Sequence, residues 1–127
     1  MHRRSFIHYS AATGAALLLH PLASLAKPAS GKLKLALAGT GHRGSGFWTR
    51  DLLRNFGEQV SLVALCDHNP GRLQYVKESL GLSCSLYNSY EQMLRESGAD
   101  TIIVTTPDSV HDQHIIQALQ AGKDVIT

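Results

Sequence analysis

The sequence of 127 residues is poor in cysteine and has no grouping typical of a metal centre. Its two cysteines, Cys66 and Cys84, lie near the end of one predicted strand and near the start of another. In a parallel sheet these are opposite ends, which argues against a disulfide because the thiols are too far apart. No set of Cys, His, Asp and Glu has the spacing of a zinc site. We therefore expect two buried free thiols and no metal.

Clustered basic charge and a long apolar run are also missing. The formal net charge of +2 is due to Arg3 and Arg4, because from Lys27 onward five Lys and five Arg face six Asp and four Glu. A nucleic-acid-binding surface needs clustered Lys and Arg, so we expect no nucleic-acid partner. The apolar stretch at residues 11–19 is too short to cross a bilayer, which takes about 20 residues, so we expect no stable membrane span.

The first 30 residues have the composition of an export signal. Arg3-Arg4 precedes Phe6 and the apolar stretch, and small residues at positions 24–26 offer a signal-peptidase site. The segment resembles a twin-arginine leader, whose pattern is S/T-R-R-x-F-L-K, and departs from it at His2, Ile7 and His8. We interpret residues 1–30 as a signal peptide with a flexible lead-in, exported to the periplasm by the twin-arginine machinery. An ordinary secretory signal and an uncleaved anchor are the alternatives.

Residues 31–127 are enough for one domain with its own core. Apolar runs predicted as strands alternate with predicted helices, which is typical of a parallel sheet with right-handed crossovers. We predict an α/β fold with a Rossmann-type, doubly wound parallel sheet of about five strands in the order 3-2-1-4-5. The strands are predicted to begin at or near Lys32, Val60, Cys84, Thr101 and Asp124.

Four helices are predicted between these strands. The first runs from about His42 to Asn55 and turns Trp48, Leu52 and Phe56 towards the sheet. The second begins at the cap and proline of residues 69–70, the third at a capping box at residues 89–92, and the fourth near residue 109.

A glycine loop between the first strand and the first helix has the pattern G-x-G-x-x-G, formed by Gly39, Gly41 and Gly44. In a dinucleotide-binding unit the first glycine allows a tight turn, the second lets the backbone approach a pyrophosphate, and the third lets the helix pack closely. Asp67 follows the second strand, 23 residues after Gly44, where a carboxylate accepts hydrogen bonds from a ribose diol. The layout predicts nucleotide binding; a glycine-rich turn that binds nothing is the alternative.

The charge of Asp67 also bears on the choice of cofactor. A 2′-phosphate about 4 Å from its carboxylate is repelled by roughly 1–4 kcal/mol per unit charge. The next four residues, at positions 68–71, include no Lys or Arg to offset this. We therefore expect NAD rather than NADP, while Arg43 and Arg72 offer a route to the opposite preference.

The last helix brings a histidine to the edge of the sheet where ligands bind. His111 lies in its first turn, where the helix dipole favours a neutral ring suited to hydrogen bonding with a ribose or a substrate. A plain capping or surface role is the alternative. His114 is assigned to the surface, and Trp48 and Tyr90 are assigned to the core.

Two motifs near the end of the chain identify a family resemblance. Residues 106–111 read T-P-x-x-x-H, and residues 118–125 read A-L-x-A-G-K-x-V. Together with the glycine loop they resemble the Gfo/Idh/MocA oxidoreductases, the family of glucose-fructose oxidoreductase and inositol dehydrogenase. The resemblance extends from about Lys32 to Thr127 and covers the cofactor-binding part of the family.

The resemblance implies a set of cofactor contacts. The residues expected on the pyrophosphate side are Gly39, Gly41, His42, Arg43 and Gly44. Asp67 is expected to hold the adenosine ribose, and the residues expected to line the adenine and nicotinamide side are Pro107, Asp108 and His111.

The family's usual catalytic lysine belongs to a Glu-Lys-Pro motif that would follow Thr127, so we assign no catalytic residue within the chain. The family's second domain, an α+β domain, would also follow Thr127, so we expect residues 31–127 to be a Rossmann domain truncated at its C-terminal end.

The function implied is that of the NAD(P)-binding domain of an exported oxidoreductase. Such an enzyme transfers a hydride between NAD and a hydroxyl group of a sugar, polyol or related compound, and with its second domain it would form a homo-oligomer. An NAD-dependent glycosidase with a transient redox step is one alternative. A non-catalytic nucleotide-binding fragment is the other.

Overall fold

The computed structural model describes residues 31–127, and these contain a five-stranded parallel sheet in the order β3-β2-β1-β4-β5. The predicted α/β fold and the strand order 3-2-1-4-5 are confirmed. The predicted export signal lies outside the described residues. The strands are β1 (Leu33–Ala38), β2 (Val60–Cys66), β3 (Ser85–Tyr87), β4 (Thr101–Val104) and β5 (Asp124–Ile126).

Helices connect successive strands along the chain. The first, α1, consists of three consecutive segments: an α-helical turn at His42–Ser45, a π-helix at Gly46–Asp51 and a second α-helical segment at Leu52–Phe56. The others are α2 (Pro70–Ser79), α3 (Tyr90–Glu96) and α4 (Asp108–Gln120).

The predicted inner face of α1 is wrong at one residue. Trp48 and Leu52 pack against the core as expected, but 52% of the surface of Phe56 is exposed. The π-helix at Gly46–Asp51, whose turns are wider than those of an α-helix, lies before Leu52 and Phe56. The buried hydroxyl of Thr49 donates to the carbonyl oxygen of Gly44, five residues earlier, at 2.7 Å. This contact stabilises the wide π-helical turn. The sequence pattern does not predict it.

The sheet separates two apolar layers of different side-chain size. Small side chains of the sheet, including Ala36, Ala38 and Ala64, lie under α3 and α4, while Leu35 and Leu37 face α1 and α2. Burial on both faces is what the near-continuous apolar strands require. The two cysteines are buried free thiols in opposite layers, Cys66 in the first and Cys84 in the second.

A β-bulge in the pairing of β1 with β2 aligns the carboxyl ends of the two strands. Leu35 is opposite Leu62, but Ala36 is opposite Ala64, so one extra residue, Val63, enters β2. After the bulge the last residue of β1 is level with Cys66, the last residue of β2. The amide of the next residue, Gly39, donates to the carbonyl of Cys66 at 2.8 Å. The glycine loop and the residue after β2 therefore leave the sheet side by side.

Two of the three motif glycines are required by close packing. Gly39 has a φ of +95°, and a Cβ atom there would lie 2.8 Å from the carbonyl carbon of Thr105. A Cβ atom on Gly44 would overlap the carbonyl oxygen of Gly39. A Cβ atom on Gly41 would meet no atom within 4 Å. The first and third glycines are thus needed by the fold, whereas the second leaves open space beside the backbone.

We predict that Gly44→Ala lowers the free energy of unfolding by about 1–3 kcal/mol, because overpacking against the Gly39 carbonyl outweighs the gain of about 1 kcal/mol in helix propensity. Gly41→Ala is the matched control, with a loss below about 1 kcal/mol, because its side chain enters open space. Chemical denaturation of both variants measures the difference. Equal stabilities of the two variants would contradict this account of the packing.

Candidate cofactor site

A cleft of about 810 Å³ opens beyond the carboxyl ends of β1, β2 and β4. This is the edge at which open parallel sheets bind their ligands, and the volume is that of a small-molecule site. Seven of the residues predicted to bind cofactor line it: Gly39, Gly41, His42, Arg43, Gly44, Asp67 and Pro107. The structure thus brings the glycine loop, the acid after β2 and the start of the β4–α4 loop together in one cavity.

Asp108 and His111 are not among the residues that line the cleft. Asp108 is exposed at the first position of α4. In His111, Nδ1 lies 3.2 Å from the carbonyl oxygen of Thr106, and Nε2 lies 2.5 Å from Oγ1 of Thr127. Both ring nitrogens are therefore engaged by the chain itself, and the cofactor contacts expected of Asp108 and His111 stay predictions.

The carboxylate of Asp67 is held by three hydrogen bonds. The backbone amide and the hydroxyl of Thr40 donate to Oδ2 at 2.8 and 2.7 Å, and the amide of Asn69 donates to Oδ1 at 2.9 Å. Partial burial alone would raise the pKa of Asp67, but these hydrogen bonds, with the charge of Arg72, outweigh burial and hold the pKa below its ordinary value. Asp67 is therefore ionised at neutral pH.

The start of α1 is arranged to receive an anion. Its first N–H groups have no intrahelical partner, as at any helix N-terminus, and its N-cap residue, Gly41, makes no side-chain hydrogen bond to them. The backbone at Gly41 faces open space and also lines the cleft. Unpaired N–H groups and the partial positive charge of a helix N-terminus favour a phosphate at such a place.

Another part of the cleft wall is formed by residues that the sequence did not single out as ligand contacts. The ring of His114 stacks on Tyr90 with ring centroids 4.1 Å apart, and its Nδ1 lies 3.2 Å from Oγ1 of Thr106. The Tyr90 hydroxyl donates to the carbonyl oxygen of His114 at 2.6 Å. All three residues line the cleft with Asn88. Thus His114 is a half-buried wall residue, contrary to its assigned place on the surface.

Two titratable groups that line the cleft, His114 and Cys66, are held neutral. Burial holds the pKa of His114 below its ordinary value, so its ring is uncharged at neutral pH. Burial, with the charge of Asp67 nearby, raises the pKa of the Cys66 thiol to about 12. Because the thiolate is the reactive form of cysteine, Cys66 is an inert part of the cleft floor.

Within residues 31–127 there is no group of three or more His, Cys, Asp and Glu side chains able to hold a metal ion. The same part of the chain contains no helix with the length and apolar character needed to cross a membrane.

Comparison with known proteins agrees with this geometry. The Gfo/Idh/MocA family model, described as "Oxidoreductase family, NAD-binding Rossmann fold", matches residues 33–127. The chain is 34% identical to a glycosyl hydrolase family 109 protein of Stenotrophomonas maltophilia, over 96% of this chain and 28% of that protein. It is 30% identical to an inositol 2-dehydrogenase of Salmonella paratyphi B, over 73% of this chain and 27% of that protein.

A solved structure shows the same fold. The WlbA dehydrogenase from Bordetella pertussis, in complex with NADH and UDP-GlcNAcA, matches with a TM-score of 0.66 and 28% identity, over 75% of this chain and 28% of the dehydrogenase. The chain spans little more than a quarter of the length of these relatives. Because the family match covers residues 33–127, this chain belongs to the Gfo/Idh/MocA oxidoreductases and carries their NAD-binding Rossmann domain.

Proposed function

We propose that this chain is the NAD-binding part of an exported oxidoreductase that transfers a hydride between NAD and a hydroxyl group of a sugar, polyol or related compound. The observation that carries the proposal is an ionised carboxylate, Asp67, fixed beside an open glycine loop in a cleft of about 810 Å³. Support for the substrate class comes from two relatives, an inositol 2-dehydrogenase and a dehydrogenase bound to UDP-GlcNAcA.

The chain's own residues would bind and orient the cofactor. The backbone from Gly41 onward would hold the pyrophosphate, and Asp67 would accept a hydrogen bond from the adenosine ribose. Tyr90 and His114, stacked on each other, form a neutral part of the cleft wall beside which the remainder of the dinucleotide would lie. NAD would supply the hydride acceptor, and the protein the position in which transfer is fast.

NAD is favoured over NADP because Asp67 carries a negative charge at the place where a 2′-phosphate would lie. At a separation of about 4 Å the repulsion is roughly 1–4 kcal/mol per unit charge. Arg43 and Arg72 line the same cleft, and their attraction for a 2′-phosphate would reduce this preference. The net preference depends on which of these charges lies nearer to the 2′-phosphate. The Asp67 carboxylate is fixed within the cleft by its three hydrogen bonds.

We predict that the protein binds NAD more tightly than NADP in isothermal titration calorimetry. Asp67→Ala should reduce this preference, since it removes the repulsive charge together with the acceptor for the ribose. Gly41→Val should abolish binding, because its side chain enters the space through which the pyrophosphate approaches the backbone.

The Gly41 variant is informative because open space around that position leaves the fold intact. Its circular dichroism and unfolding curve should stay close to those of the unaltered protein. Tighter binding of NADP than of NAD by the unaltered protein would overturn the cofactor assignment.

A second prediction is that residues 1–127 alone bind NAD without reducing it in the presence of any sugar or polyol. A base must lie within hydrogen-bond reach of the substrate hydroxyl during hydride transfer. The family resemblance places that base beyond Thr127, and both ring nitrogens of His111 are already engaged by Thr106 and Thr127. Absorbance at the wavelength of NADH gives the measurement. Sugar-dependent NADH formation that disappears in His111→Ala would make His111 the base and overturn the prediction.

An NAD-dependent glycosidase is the second candidate function, and one observation favours it. The match to the glycosyl hydrolase family 109 protein covers 96% of the chain, so it continues into residues that precede Leu33. In such a reaction NAD would oxidise the sugar transiently and regain its oxidised form before product release. A longer protein that includes the family's second domain separates the two functions: glycoside cleavage without net NADH indicates the glycosidase, and net NADH formation from a free polyol indicates the dehydrogenase. We expect that longer protein to be a homo-oligomer.

Export through the twin-arginine route is the remaining part of the proposal, and it rests on residues 1–30 of the sequence. We predict that Arg3→Lys combined with Arg4→Lys keeps the protein in the cytoplasm, because the route reads the arginine pair itself and lysine preserves only its charge. Cell fractionation and immunoblotting give the measurement. Unchanged periplasmic yield of the double variant would show the general secretory route instead.

A further inference from the structure

The second residue of the glycine loop, Thr40, makes a contact that the loop pattern does not require. Its side chain is 3% exposed, and its hydroxyl and its backbone amide both donate to the same oxygen, Oδ2 of Asp67. The two distances, 2.7 and 2.8 Å, are those of strong hydrogen bonds to a charged acceptor. The loop that would hold the pyrophosphate is thereby bonded to the carboxylate that would hold the ribose.

A count of acceptor positions shows what this contact leaves for a ligand. An ionised carboxylate has about four lone-pair positions, two on each oxygen. Thr40 occupies both positions on Oδ2, and the amide of Asn69 occupies one on Oδ1. Among the described hydrogen bonds, the remaining position belongs to Oδ1.

We propose that Thr40 is a positioning residue for cofactor selection: by fixing Oδ2 it presents Oδ1 of Asp67 to the ribose and prevents the carboxylate from turning away from a 2′-phosphate. This inference rests on the proposed NAD-binding function and adds a residue that determines its specificity. A carboxylate free to rotate can move its charge away from a 2′-phosphate or towards a nearby cation. One held by two donors from the loop and one from Asn69 cannot do so without breaking a hydrogen bond.

The test compares Thr40→Val with Thr40→Ser in the full 127-residue chain. Valine keeps the size of threonine and the backbone donor but removes the hydroxyl, whereas serine keeps the hydroxyl. We expect Thr40→Val to weaken NAD binding about tenfold and to reduce the ratio of NAD to NADP affinity by a similar factor, and Thr40→Ser to stay within about threefold. Thr40→Ala, which adds no bulk, is the second variant if valine disturbs folding.

Thr105→Val is the control for a general disturbance of the loop. The hydroxyl of Thr105 donates to the carbonyl oxygens of Gly39 and Ala38, at 2.8 and 3.2 Å, and has no hydrogen bond to Asp67. Its removal should weaken the binding of NAD and NADP by the same factor and leave their ratio unchanged. A change of the ratio in this control equal to that in Thr40→Val would assign the effect to the loop as a whole.

A second readout follows Asp67 without any ligand. In the unaltered protein the hydrogen bonds from Thr40 help to hold the pKa of Asp67 below its ordinary value, so the Asp67 pKa should rise in Thr40→Val, and NAD affinity should be lost at a higher pH on acidification. NMR titration of the Asp67 carboxyl carbon measures this. The ionisable groups that line the same cleft, and that the titration must separate from Asp67, are His42, Arg43, Cys66, His68, Arg72, Tyr90 and His114.

The outcomes distinguish this inference from the proposed function. Unaltered protein that binds neither dinucleotide overturns both. Unaltered protein that prefers NAD, together with a Thr40→Val variant of the same preference and the same Asp67 pKa, overturns the role of Thr40 alone. A reduced preference and a raised Asp67 pKa in Thr40→Val, with both restored in Thr40→Ser, support it.

Discussion

The close approach of the glycine loop to the ends of β2 and β4 is the constraint on which the site depends. Gly39 lies against the Thr105 backbone, and α1 approaches so closely that its third residue, Gly44, has no room for a Cβ atom. The Thr105 hydroxyl bonds to two carbonyls of the β1–loop junction, and Thr40 bonds to Asp67. These contacts join the glycine loop to the segments that follow β2 and β4, and the backbone beside Gly41 faces the cleft.

The pairing of β1 with β2 places Asp67 beside the glycine loop. The extra residue in β2 brings the ends of β1 and β2 level, so that the glycine loop and Asp67 leave the sheet side by side. The side chain of Asn69 then accepts from the amides of Gly71 and Arg72 and starts α2, whose first turn also lines the cavity. The Asp67 carboxylate, the N-terminus of α1 and a neutral aromatic wall thus share one cavity because of the backbone geometry of the sheet and its loops.

The features visible in the sequence are those that follow from periodicity and from glycine. Apolar runs predicted all five strands, and their alternation with helices predicted the strand order. The spacing between Gly44 and Asp67 predicted that the glycine loop and the acid lie at the same edge of the sheet. The Thr40 contact was not predictable, because the loop pattern allows any residue at that position. Neither the bulge at Val63 nor the π-helix in α1 leaves a signal in apolar spacing. His111 and His114 share one helix face, and only the packing of α4 against Tyr90 decides which of them reaches the cleft.

The central claim is that NAD binds across the glycine loop and Asp67, and an NMR titration of the isotope-labelled chain with NAD tests it most directly. Binding there should give saturable shifts of the backbone amides of Gly41 and Arg43, together with the amides of Thr40 and Asn69 that bond to Asp67. A smaller groove lies between α1 and α2, and the amides of Tyr75 and Ser79, which line it, should stay unchanged. Saturable shifts confined to that groove, or no saturable shift at the glycine loop, would contradict it.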